Sequence, residues 1–222
     1  LLIVGSGMES TRGTIDLTKR IADAGADIVL VLTPHYFSSS MTFASLESYY
    51  LQIASESPVP ILIYSAPIFT FLDLSLEVIK VLAQHNNIIG IKESSGDVRK
   101  INNLVRNTPD GFEVLTGSTS QFLAGLNAGA VGGILALANI AAEPLSELFE
   151  AFTKGEMERA EEIQRHLIPA TKALKKHCGV AGLKAALEMI DNCGGEVRSP
   201  LLPLLDSEKM ELRLVLKKTG LL

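Results

Sequence analysis

Apolar residues fall into six short, nearly continuous runs, each leading into a stretch of helical period. The runs are Leu1–Val4, Ile28–Leu32, Pro60–Tyr64, Ile88–Lys92, Phe112–Thr116 and Val131–Leu135. Unbroken apolar character over about five residues, rather than strict alternation, predicts strands covered on both faces. The intervening stretches carry helix signals. Ser10-Thr11 predicts a helix through Ile15, Leu17 and Ile21 that Gly25 ends. Asp73 and Ser75 predict a start before Leu76, Ile79 and Leu82, and Asp97 predicts another before Ile101, Leu104 and Val105. Strand and helix alternate at about 20 to 30 residues, the grammar of a parallel α/β sheet.

Beyond Leu135 the pattern turns helical. Helices are expected over Pro144–Lys154, Glu156–His177, Gly179–Asn192 and, past the turn at Pro200 and Pro203, Asp206–Lys218. The charge run Glu156–Arg165 reads as a solvated helix face. Two layouts compete for the first part. A doubly wound sheet would carry a nucleotide fingerprint at its first turn; Gly5-Ser6-Gly7 begins one, but Ser10 occupies the third glycine position. A barrel fits better, because Thr33-Pro34-His35-Tyr36, Tyr64, Lys92 and Gly117-Ser118 all fall at the C-terminal ends of strands. The expected fold is therefore α/β, a (β/α)8 TIM barrel lacking its first two βα units, with a C-terminal helical extension. The expected division is residues 1–141 for a partial six-stranded barrel and 142–222 for its last helix and the extension. Leu1–Gly5 reads as the middle of a strand, neither an initiator methionine nor a signal peptide.

Composition narrows the partners. With 222 residues, 47% hydrophobic and 20% charged, the chain is not of the disordered or collagen-like kind. Twenty basic against 25 acidic side chains leave a net charge of −5, no surplus for nucleic acid or an anionic membrane. No apolar run reaches the roughly 18 residues of a membrane span. Cys178 and Cys193 are too few for a disulfide framework. The histidines, His35, His85, His166 and His177, show no zinc-type spacing, and no G-x-S-x-G elbow occurs, so no metal site and no serine nucleophile is expected. Gly117-Ser118 and Gly132-Gly133 fit either close packing, the favoured reading, or a phosphate site.

Two residues carry candidate chemistry. Alternation in Ile88-Ile89-Gly90-Ile91-Lys92 predicts Ile88, Gly90 and Lys92 on one face, with Ile89, Ile91 and Glu93 on the other. A lysine closing an apolar column is desolvated, which lowers its pKa and frees an amine to attack a carbonyl. Tyr64 ends its own strand on the face of Leu62, where a phenol can relay a proton. Pattern alone favours the plainer readings, a lysine snorkelling at a strand end and a core tyrosine.

A resemblance weighs against those plainer readings. The segments Ile61–Pro67 (ILIYSAP) and Ile88–Asp97 (IIGIKESSGD) resemble the signature of the dihydrodipicolinate synthase and N-acetylneuraminate lyase family. Thr33–Tyr36, Leu115–Ser118, Ala130–Asn139 (AVGGILALAN) and Gly182-Leu183-Lys184 extend the match along the chain. The resemblance implies a metal-independent class I aldolase or lyase acting on a 2-oxo acid, with no cofactor, usually as a homotetramer. Lys92 would form the Schiff base and Tyr64 would shuttle protons. Tyr36 matches a tyrosine lent to a neighbouring subunit's site, Ser94 and Gly117 match substrate contacts, and Ile134 lines the pocket. Within the family, Gly5–Thr11 (GSGMEST) and Tyr64–Leu74 (YSAPIFTFLDL) resemble most the 4-hydroxy-2-oxoglutarate aldolase branch of animal mitochondria. That implies cleavage to pyruvate and glyoxylate, in mitochondria if this branch is followed and in the cytoplasm otherwise, any targeting segment lying upstream of Leu1. Alternatives are 4-hydroxy-tetrahydrodipicolinate synthase, N-acetylneuraminate lyase, a 2-keto-3-deoxy sugar acid aldolase, or a non-catalytic remnant that binds intact subunits. The synthase branch usually carries an arginine two residues past the proline of Y-x-x-P; here Pro67 is followed by Ile68 and Phe69. Phe71 stands where the family usually has glycine. The family's first two βα units, with their carboxylate-binding motif, are not in the sequence, so the chain as given is expected to have little or no activity.

Overall fold

Each of the six apolar runs becomes a strand of one sheet in the computed structural model, which describes residues 1–176 and 179–222. The strands are β1 (Ile3–Gly5), β2 (Ile28–Leu32), β3 (Ile61–Ser65), β4 (Ile88–Glu93), β5 (Glu113–Thr116) and β6 (Gly132–Gly133). All neighbours are parallel and lie in chain order from β1 to β6. A doubly wound sheet reverses its order at a switch point, and this one has none. It is a half-barrel of six parallel strands.

Helices follow the strands: α1 (Thr11–Asp23), α2 (Phe43–Glu56), α3 (Pro67–Thr70), α4 (Leu76–Leu82), α5 (Val98–Asn107) and α6 (Phe122–Asn127). The cap residues act as their chemistry predicts. The side chains of Ser10, Ser75 and Asp97 accept the backbone N–H groups of Gly13, Val78 and Arg99. Asp73 caps nothing and instead pairs with Lys100. The sequence pattern missed α2, whose Tyr49, Tyr50 and Ile53 are buried against the sheet. The core holds Val29, Val31, Ile61, Ile63, Ile91 and Val114 from the strands, with Ile79, Leu82 and Leu104 from the helices. Each fully buried aliphatic side chain contributes about 1.5–3 kcal/mol.

Two compact units result. The first is residues 1–118 with 124–133; the second is residues 119–123 with 134–222. The second unit contains α7 (Ala142–Lys154), α8 (Met157–Lys176), α9 (Val180–Met189) and α10 (Asp206–Lys218). Its core is built by Leu148, Ala160, Leu167, Ala170, Ala186, Leu212 and Leu216, all buried. The helix end expected at His177, and Cys178, lie outside the described residues. No described helix is long and apolar enough to cross a membrane.

One strand departs from simple alternation. Ile61 pairs with Ile88 but Leu62 pairs with Gly90, so Ile89 is an extra residue in β4. Such a bulge reverses the facing of what precedes it. Ile88 therefore joins Ile91 in the helix-side core instead of sharing a face with Gly90 and Lys92. A Cβ at Gly90 would stand 2.2 Å from the carbonyl oxygen of Glu113, so this glycine admits the backbone of β5.

Candidate active site

Parallel register sets Leu32, Tyr64, Lys92 and Leu115 side by side on the face opposite the helices. Lys92 Nζ lies 4.0 Å from the centroid of the Tyr64 ring. Burial lowers the Lys92 amine below its ordinary value, because the ammonium is the form that loses most when water is removed. Burial also raises the Tyr64 phenol, and the Ser94 hydroxyl pulls it part of the way back. The pair thus combines an amine biased towards its neutral, nucleophilic form with a phenol biased towards keeping its proton.

Ser94 follows β4, its backbone N–H donating to the Ser65 carbonyl at 2.9 Å. Its Oγ is buried and makes no aligned hydrogen bond among the described residues. A buried hydroxyl left that way costs about 1–3 kcal/mol, which an oxygen-rich ligand would return. Gly117 completes the cluster. Its N–H donates to the Glu93 carbonyl at 2.7 Å, and a Cβ at this position would lie 1.7 Å from Ser94 Oγ and 3.1 Å from Lys92 Cε. Glycine is required there because the serine and the lysine occupy the space of any side chain.

Tyr36 is 78% exposed, packs edge-on to Phe37 at 4.9 Å, and makes no hydrogen bond or ring contact with Tyr64, Lys92 or Ser94. Its backbone is held by Glu9, whose Oε2 accepts the N–H groups of both His35 and Tyr36 at 2.9 Å. Ile134 is half-buried at the start of the main stretch of the second unit. Gly7, half of the incomplete nucleotide fingerprint, has a packing role: a Cβ there would stand 2.7 Å from the Leu32 nitrogen. Among the described residues no three His, Cys, Asp or Glu side chains gather as a metal cradle requires.

Sequence reasoning missed Glu93. Expected merely to point away from Lys92, it is 1% exposed and contacts Lys100 of α5. A charged residue at a strand end carries no sequence signal of burial; its partner seven residues on is the one hint available.

The sequence profile of the Dihydrodipicolinate synthetase family matches residues 1–219. The chain belongs to that family. Two curated relatives, from Archaeoglobus fulgidus and Thermodesulfovibrio yellowstonii, are each 34% identical over 221 residues. Both are named 4-hydroxy-tetrahydrodipicolinate synthase; the match covers all of this chain and 76% and 75% of theirs. Among solved structures, dihydrodipicolinate synthase from Thermotoga maritima superposes with a TM-score of 0.94 at 33% identity, covering 99% of this chain and 75% of that one. A prophage protein of the dihydrodipicolinic acid synthase family from E. coli K12, solved in complex with pyruvate, gives 0.93 at 26% identity over 99% and 75%. The family resemblance read from the strand-end motifs is thereby established. The 4-hydroxy-2-oxoglutarate aldolase branch is not: the relatives carry the synthase name.

Proposed function

We propose that this chain works on pyruvate or a related 2-oxo acid through a Schiff base at Lys92, in the reaction class of the synthases it resembles. The observation that carries the reading is the half-buried Lys92 amine, its pKa lowered, 4.0 Å from the Tyr64 ring. In this reading Lys92 Nζ attacks the C2 carbonyl of the acid, and the hydroxyl so formed leaves as water with a proton passed by Tyr64. The protonated imine draws electrons from C3, which loses a proton to give an enamine. The enamine carbon then forms a bond to an aldehyde carbon, or the same steps in reverse cleave one. Ser94 Oγ, buried and beside the Tyr64 phenol without an aligned hydrogen bond, is suited to an oxygen of the bound acid. Gly117 keeps the space for both groups. The names of the relatives favour condensation to 4-hydroxy-tetrahydrodipicolinate as the overall reaction, in a homo-oligomer as the family resemblance implies.

A second reading, cleavage of 4-hydroxy-2-oxoglutarate, is favoured by one loop. Phe69, 66% exposed in α3, stands two residues past Pro67, where the synthase branch usually has an arginine for a second carboxylate. The experiment is intact mass of the folded chain after pyruvate and borohydride, beside Lys92→Ala. The expected result is one reduced adduct, lost in the variant; a folded wild type that gains no mass overturns the reading. Supplying 4-hydroxy-2-oxoglutarate instead of pyruvate separates the two reactions, since only a cleaving enzyme releases glyoxylate.

A further inference from the structure

Directly behind Lys92, on the helix side of the sheet, a buried ion pair takes no part in the chemistry outlined above. Glu93 Oε1 accepts the backbone N–H of Ser95 at 2.6 Å, and Oε2 stands 2.8 Å from Lys100 Nζ, a charge contact rather than an aligned hydrogen bond. Lys100, its side chain 15% exposed, also meets Asp73 and, at 3.4 Å, Ser65 Oγ. The backbone of the same residues is engaged as well. The Glu93 carbonyl receives Gly117 N–H at 2.7 Å, and the Ser65 carbonyl receives Ser94 N–H at 2.9 Å. Glu93 and Lys100 therefore join the C-terminal ends of β3, β4 and β5 to the first turn of α5.

Stability alone does not explain the pair. Desolvating two opposite charges often costs more than their attraction returns, and an apolar pair of similar size commonly serves as well. The surrounding sheet is already secured by Ile61, Ile63, Ile91 and Val114, each at most 1% exposed. What the pair supplies is direction. It fixes the Ser95 N–H, and with it the turn that carries Ser94, at a place where Gly117 leaves no clearance.

We propose that Glu93, held by Lys100, is a positioning residue that fixes the backbone from Lys92 to Ser95, so that Lys92 Nζ and Ser94 Oγ converge beside Gly117 on the opposite face. The catalytic part of this inference rests on the Schiff-base reading of Lys92. Glu93→Gln keeps the shape and the Ser95 acceptor but removes the charge; Lys100→Met removes the cation; the double variant Glu93→Gln/Lys100→Met leaves no buried charge unpaired and keeps the test open if a single variant fails to fold. Two readouts are taken for all variants at one temperature, about 10 °C or more below the lowest thermal midpoint in the set. One is the rate of borohydride trapping at saturating pyruvate. The other is reductive methylation of Lys92 by formaldehyde and borohydride against pH, which needs no 2-oxo acid.

The variants are expected to trap pyruvate about tenfold more slowly or worse, since a ~1 Å misplacement costs up to about a hundredfold. The Lys92 methylation profile shifts, and the double variant recovers stability but not trapping rate. Lys19→Met, which breaks an exposed pair with Glu56, serves as the unaffected control. Variants of lower thermal midpoint whose trapping rate and methylation profile equal those of wild type overturn the inference. Wild type that methylates at Lys92 but never traps pyruvate overturns the Schiff-base reading instead. In that case a shifted methylation profile in the variants still supports the positioning role, and an unshifted one refutes it.

Discussion

A lysine amine taken out of water weighs on the folded state, and Lys92 shows how a residue suited to chemistry works against stability. Its folded pKa lies below the ordinary value of about 10.4. Below the folded pKa both states are protonated and the full cost is present; between the two values the unfolded chain binds the extra proton, so stability rises with pH. Lys92→Met is therefore expected to unfold at higher denaturant than wild type at neutral pH, with the advantage shrinking towards pH 10; urea titrations at several pH values check it. Ser94→Ala makes a second divergence between stability and function. Removing a buried hydroxyl without an aligned partner should leave stability unchanged or raise it by about 1 kcal/mol. The same change should slow adduct formation at Lys92, and calorimetry beside trapping kinetics reads both effects.

At the scale of elements, the strand ends were legible and the bulge was not. Tyr64 and Lys92 close two apolar runs, so parallel pairing alone sets them abreast. Continuous apolar runs carry no alternation, so nothing in Ile88-Ile89-Gly90 marks Ile89 as the extra residue. Helix α2 escaped because buried Tyr49 and Tyr50 are adjacent and blur the helical period. The Glu93–Lys100 pair escaped because charged residues read as solvated until a fold encloses them. The departure at Phe71 has a local basis. It ends α3 with φ 53°, the left-handed conformation that favours glycine, and its ring is 89% exposed. Phe71→Gly relieves that strain and loses some of the gain to a freer unfolded chain, a net stabilisation of about 1 kcal/mol. A rise in thermal midpoint with trapping at Lys92 unchanged is the expected result.

The whole molecule has a net charge of −5 at pH 7, the same sign as the 2-oxo acids proposed to enter it. Long-range attraction therefore gives no help to association, and recognition rests on short-range contacts at the strand ends. The kcat/KM for such an acid should stay flat or rise modestly between low and physiological salt, where a steered enzyme would lose rate; initial rates across a salt series decide it. Inheritance within this fold is constrained at the same strand ends. Every residue but glycine at position 117 brings a Cβ onto Ser94, and even a smaller residue at 94 leaves Lys92 Cε 3.1 Å away. Position 117 can therefore change only after both 92 and 94 have given way. The loops beyond β2 and β3, with Tyr36, Ile68, Phe69 and Phe71 turned outward, bear no such linkage. A lineage built on this chain would vary first in those loops, while the glycine at 117 passed down unaltered.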